Sequence, residues 1–158
     1  MSSKTIYPDP RTYHSTAMID TRTAPYAALL LRVALGAMFI AHALLKYYVF
    51  TLPGTAQFFQ SLGLPGALAY LTFVAELVGG ALILAGVYAR WVAAALVPIL
   101  LGATWAHAGN GWLFTAANGG WEYPAFLSAA AAVQALLGDG RYALANLFNA
   151  RNLQGEYA

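Results

Sequence analysis

Four apolar stretches, each close to the length a helix needs to cross a bilayer, constrain this chain more than any other feature. They run from Tyr26 to Phe50, Ala67 to Val87, Trp91 to Ala108 and Trp121 to Gly138. A hydrocarbon core about 30 Å thick takes roughly 20 mostly apolar residues. Lipid offers bare N–H and C=O groups no partner, so such stretches must be helical and side by side they form a bundle. Of the 158 residues 60% are hydrophobic and 9% charged, where a soluble domain carries about 25% charged residues. Four buried helices of a water-soluble protein would need polar outer faces, and a run such as AAALVPILLGA supplies none. The expected class is all-α, a bundle of four transmembrane helices.

Charge placement orients the bundle. Lys4, Arg11 and Arg22 precede the first stretch, Arg90 separates the second from the third, and Arg141 and Arg151 follow the fourth. Loops 51–66 and 109–120 carry no Lys or Arg. The positive-inside rule therefore puts both termini and the Arg90 turn in the cytoplasm. In a bacterium this is a multi-pass protein of the inner membrane, with the two uncharged loops facing the periplasm. Tyr47, Tyr48, Trp105, Trp112, Trp121 and Tyr123 make the expected outer aromatic belt, and Tyr26, Tyr88 and Trp91 the inner one. No apolar core precedes the first stretch, so a cleavable signal peptide is not expected. Three parts follow: a polar cytoplasmic arm (1–25, with His14), the membrane domain (26–138) and a cytoplasmic tail (139–158). In the tail, DGRYALANLFNAR alternates in a way that suits a short interfacial helix. The loops FFQSLGLPG and GNGWLFTAANGG, apolar and glycine-punctuated, are expected to fold back on the bundle.

The absence of cysteine excludes disulfides, thiolate catalysis, Cys-ligated iron–sulfur clusters and Cys-attached haem within this chain. Eight Lys and Arg against six Asp and Glu leave no patch for nucleic acid. Attention falls on the ionisable residues inside the spans: Arg32, His42, Lys46, Glu76, His107 and Glu122. Each costs about 2.5 to 3.5 kcal/mol at a span's centre and normally faces a bundle interior. At about 100° per residue, Arg32, Gly36, Phe39, Ala43 and Lys46 share one stripe of the first helix, with His42 on its edge. Thr72, Glu76, Gly79 and Gly80 share a face of the second, where the glycines admit a neighbouring backbone close to the carboxylate. Counted at about 1.5 Å per residue, His42 lies about 12 Å deep, Glu76 near mid-membrane, and His107 and Glu122 near the outer boundary. The set is expected to cluster in the outer half.

His42, Glu76, His107 and Glu122 are the candidate catalytic groups. Quinone reduction takes up two protons with two electrons, and its carbonyls need donors that can be recharged, which His and Glu provide. Arg32, Lys46, Trp105 and Trp121 are the candidate cofactor-binding residues, the cations pairing with the carboxylates and the outer aromatics stacking on the ring. No flavin, haem or iron–sulfur motif is encoded, so a redox partner subunit would hold the electron carrier. A homo-oligomer is the other expected assembly in the lipid bilayer. Two rival chemistries are weaker. A b-type haem between His42 and His107 is opposed by a depth difference of about 10 Å, and a His/Glu metal site by the lack of an i, i+4 ligand pair. A non-catalytic anchor or organising subunit, its ion pairs only specifying helix packing, is the alternative function; a proton or small-solute carrier is a third.

The succession RVALGAMFIAHALLKY, FFQSLGLPG, AELVGGALILAGVYAR, ATWAHAGNGW, GGWEY and LLGDGRYALAN resembles the DoxX family of small four-helix membrane proteins, over roughly Leu31 to Asn146. The first motif often reads His-Gly-x-x-Lys in that family. Here Ala43 stands in the glycine's place, while His42 and Lys46 are kept. The resemblance implies a four-helix inner-membrane protein, linked in relatives to thiosulfate:quinone oxidoreductase and to membrane-associated redox complexes. By that likeness Arg32, His42, Lys46, Glu76, Arg90, His107, Glu122 and Arg141 occupy motif positions. The resemblance assigns none of them a catalytic role.

Overall fold

The structure, a computed structural model, describes residues 19–146. The arm up to residue 18, with Lys4, Arg11 and His14, and the tail from residue 147, with Arg151, lie outside the described residues. Among the described residues all regular structure is helical: α1 (Ala24–Tyr48), α2 (Leu52–Ser61), α3 (Ala67–Ala85), α4 (Ala89–His107), a 3-10 turn (Ala108–Asn110) and α5 (Glu122–Leu137).

Three of these helices, α1, α3 and α4 with its 3-10 extension, are long and apolar enough to cross a membrane. The fourth apolar stretch forms α5, whose 16 residues reach about 24 Å, short of the hydrocarbon core of about 30 Å. Its length has local causes. The N–H groups of Trp121 and Glu122 donate to the loop carbonyls of Gly111 and Trp112, and Gly138 at φ 84 ends the helix. The expectation of four spans thus meets three of clear spanning length and a shorter fourth packed against α4 and α1.

The first uncharged loop folds back as a helix of its own, α2. Thr51 caps it by accepting the Gly54 N–H at 3.2 Å, Pro53 occupies the first turn, and Gly63 at φ 79 follows its end. A Ser/Thr cap with an early proline is a helix-start signal, but ten residues are too few to form a stable helix alone. Packing on α3 and α1 supplies the rest.

Two small residues set the main helix crossing. A Cβ on Gly36 would lie 2.8 Å from the Leu84 amide nitrogen and 2.9 Å from the Gly80 carbonyl, so the α1 and α3 backbones touch there. Leu35, Phe39, Ile83, Leu96, Leu100 and Leu127 form the centre of the bundle. The outward surface is apolar as well, with Leu30 73% and Leu136 80% exposed. That surface suits lipid and would be costly in water.

The end of the bundle carrying the α3–α4 turn, here the base, is closed by residues 138–146. The Arg141 N–H donates to the Pro25 carbonyl and the Ala145 N–H to that of Gly86. Of the interfacial helix expected after Gly138, only residues 144–146 are helical among the described residues, and the rest of that segment lies outside them.

Candidate functional site

Lys46 and Glu76 form the strongest polar contact in the bundle. Lys46 Nζ donates to Glu76 Oε2 at 2.6 Å, with side-chain exposures of 17% and 8%. Lys46 is two residues from the end of α1 and Glu76 nine residues into α3, so the lysine reaches inward. A lysine so near the boundary can extend to water at little cost. A carboxylate in an apolar bundle has no such exit, and the pairing shows which side of that balance prevails.

One turn before Lys46 on the same face lies His42. Its Nδ1 is 2.8 Å from the Met38 carbonyl. A carbonyl only accepts, so Nδ1 carries the proton and donates, and in the neutral ring Nε2 is left as an acceptor. The imidazole stacks on Tyr123, with centroids 5.5 Å apart and planes at 20°. The Tyr123 hydroxyl is buried with no hydrogen-bond partner, an uncommon state for a buried polar atom. Helix α1 thus carries two polar contacts one turn apart, Lys46 with Glu76 of α3 and His42 with Tyr123 of α5.

Sequence reading placed Tyr123 in an aromatic belt and missed this role. The signal lay in spacing, because Tyr123, Leu127, Ala131 and Gln134 recur every three or four residues, and the last three are buried. Tyr123 stands on that inward stripe.

The other two candidate catalytic groups serve the second uncharged loop. Glu122 Oε1 accepts the Phe114 N–H at 2.8 Å. His107 Nδ1 lies 3.1 Å from the carbonyls of both Asn118 and Gly119, with Asn110 Nδ2 donating to the same two oxygens. These bonds hold residues 111–121 as a fixed turn between α4 and α5, at the end of the bundle opposite the base. Among the described residues no hydrogen bond joins His107 or Glu122 to His42, Lys46 or Glu76. His107 instead faces Phe58 of α2, centroid to centroid 6.4 Å. The set expected to form one cluster is divided into a pair-centred group inside the bundle and a loop-fixing group at its rim.

The candidate cofactor-binding residues are separated too. Arg32, 2% exposed, lies 14 residues below Lys46 along α1, about 21 Å. Its guanidinium turns to the base, donating to the Asp139 carbonyl at 2.7 Å and to those of Arg141 and Tyr142 at 3.4 Å. Arg32 therefore holds residues 139–142 across the base and takes no part in the Lys46 group. Its stripe on α1 is the expected one; only the direction of its long side chain differs. Trp105 is 57% exposed, and Trp121 packs edge-on against Trp112 at 4.5 Å. No group of three or more His, Asp or Glu side chains among the described residues could hold a metal ion.

The family model for DoxX matches residues 27–109, from the first turn of α1 through the end of α4. The chain belongs to the DoxX family. This DoxX protein is 43% identical over 75 residues to a Bacillus subtilis protein named "Putative oxidoreductase CatD", the match covering 48% of this chain and 54% of that protein. The chain thus spans about half the length of the curated relative it matches. No solved structure matches it. Arg32, His42, Lys46, Glu76 and His107 fall inside the family match, whereas Glu122 and Tyr123 lie beyond it. With its spanning helices, the chain is a DoxX-family membrane protein.

Proposed function

We propose that this DoxX protein is a quinone-linked subunit of an oxidoreductase system in a bacterial inner membrane. In this reading α5 completes four spans and both termini are cytoplasmic. The observation that carries it is the Lys46–Glu76 pair, largely buried in an apolar bundle, one turn along α1 from His42, whose ring stacks on Tyr123 with its unpartnered hydroxyl. Converting a quinone to a quinol adds two electrons and two protons. The electrons come from a flavin, haem or iron–sulfur centre on a partner subunit. Lys46 and Tyr123 offer N–H and O–H donors to the carbonyl oxygens as negative charge develops there, and Glu76 and His42 pass protons inward. Glu122 and His107 enter as positioning groups that fix the loop above.

The test is quinone binding by purified protein in nanodiscs, read by titration with a short-chain quinone. Tyr123→Phe removes one hydroxyl with little change in packing, and Glu76→Gln removes the charge. Each should weaken binding about tenfold, the loss of one hydrogen bond to a developing or full charge. Wild-type affinity in both variants would overturn the proposal.

A second reading, an organising subunit without its own chemistry, draws on a different observation. Lys46 and Glu76 satisfy each other, while Arg32, His107 and Glu122 all bond to backbone groups. Under it, Glu76→Gln lowers the melting temperature and partner recovery, and quinone titration detects no binding in any form.

A further inference from the structure

At the base, away from the group just described, the α3–α4 turn and the end of α5 enclose an open cavity of about 370 Å³. Tyr88, Arg90, Trp91, Asp139 and Asn146 line it. Arg90 is the second residue of α4, which puts its guanidinium where a spanning helix leaves the hydrocarbon. Its position is set by a bond from Nη2 to the Leu136 carbonyl at 3.2 Å. A guanidinium has five N–H donors, and this bond takes one. Asp139 Oδ1 accepts the Arg90 backbone N–H at 3.2 Å, which leaves its second oxygen for another donor and occupies the helix terminus. Tyr88 and Trp91 are 68% and 70% exposed, rings of the kind that sit at the headgroup level.

We propose that this cavity binds the headgroup of a membrane glycerophospholipid bearing a phosphate and a primary ammonium, as in phosphatidylethanolamine. The phosphate lies on the Arg90 guanidinium, whose planar fork matches phosphate oxygens. The ammonium lies on the second oxygen of Asp139. Opposite charges on two fixed groups in one cavity select a zwitterion. A headgroup of net negative charge meets the Asp139 carboxylate, and a quaternary choline has no N–H to donate. The flanking rings cover the glycerol region, which a free phosphate ion lacks. Basic pockets between spanning helices are a known way of holding lipid headgroups; the carboxylate is what makes this one specific.

The protein is reconstituted in nanodiscs of equal phosphatidylethanolamine, phosphatidylglycerol and phosphatidylcholine, re-extracted in mild detergent, and its retained lipid is measured by mass spectrometry. Phosphatidylethanolamine should exceed the other two about tenfold, the preference one charged hydrogen bond confers. Folded Arg90→Gln and Asp139→Asn proteins should lose that preference. Equal retention of all three lipids, an excess of phosphatidylglycerol or phosphatidylcholine, or an undiminished preference in folded Arg90→Gln overturns the proposal. Should either variant fail to fold, melting of the wild-type protein in detergent decides. Glycerophosphoethanolamine should raise the melting temperature and inorganic phosphate should not; an equal rise with phosphate identifies a site for a free anion and overturns the lipid assignment.

Discussion

Lys46 and Glu122 both stand where a long polar side chain has a choice between water and protein, and both take the protein. Lys46 turns to Glu76 because the acid cannot leave the bundle and a buried charge without a partner is costly. Lys46→Met should therefore destabilise the protein by about 3 to 5 kcal/mol, and Lys46→Met with Glu76→Leu should recover most of that. Reversible denaturation in detergent checks it; a double variant as unstable as the single would mean the pair contributes more than mutual neutralisation. Glu122 explains the motif GGWEY in structural terms, its carboxylate accepting the Phe114 N–H across the loop. Glu122→Ala should speed hydrogen exchange at the Phe114 amide several-fold, equivalent to about 1 kcal/mol or more, and leave the Leu127 and Ala131 amides protected.

Among the elements, the α1–α3 contact depends on absent side chains. The Gly36 and Gly80 backbones approach so closely that a methyl group on either has no room, and in lipid such close packing replaces the hydrophobic drive that water supplies. Gly36→Ala should cost about 1 to 3 kcal/mol through overpacking. Gly102 of α4 faces open space, so Gly102→Ala should gain about 0.5 to 1 kcal/mol from helix propensity. Thermal melts of the two variants in one detergent make the comparison direct, and equal shifts would show that the crossing is not where the stability lies. The three spanning helices α1, α3 and α4 were legible because lipid exposure demands sustained apolar runs. Helix α2 was not, since ten residues with Pro53 and Gly54 read as a loop until α3 and α1 are there to pack against.

At the scale of the whole molecule, Arg32 and the base segment join the two ends of the chain's fold. A single buried guanidinium bonds three carbonyls of residues 139–142, and Gly86 at φ 71 leaves the space that Arg32 and Ala143 fill. Arg32→Leu should release this segment and increase limited proteolysis within residues 139–146, and Arg32→Lys should restore little, because an ammonium lacks the fork that spans several oxygens. Unchanged cleavage in both would assign the closure to the backbone bonds at Pro25 and Gly86 instead. Sequence alone determined that the chain is a bundle of membrane helices and which stripe of α1 and of α3 faces inward. Both follow from local rules, satisfied backbone bonds in lipid and about 100° of rotation per residue. Only the tertiary structure decided which polar groups meet. Lys46 found Glu76, His42 found Tyr123, Arg32 turned to the base, and His107 and Glu122 turned to a loop. Counting residues gives the level of a Cα along its helix; the direction taken by a long side chain depends on what the neighbouring helices present there.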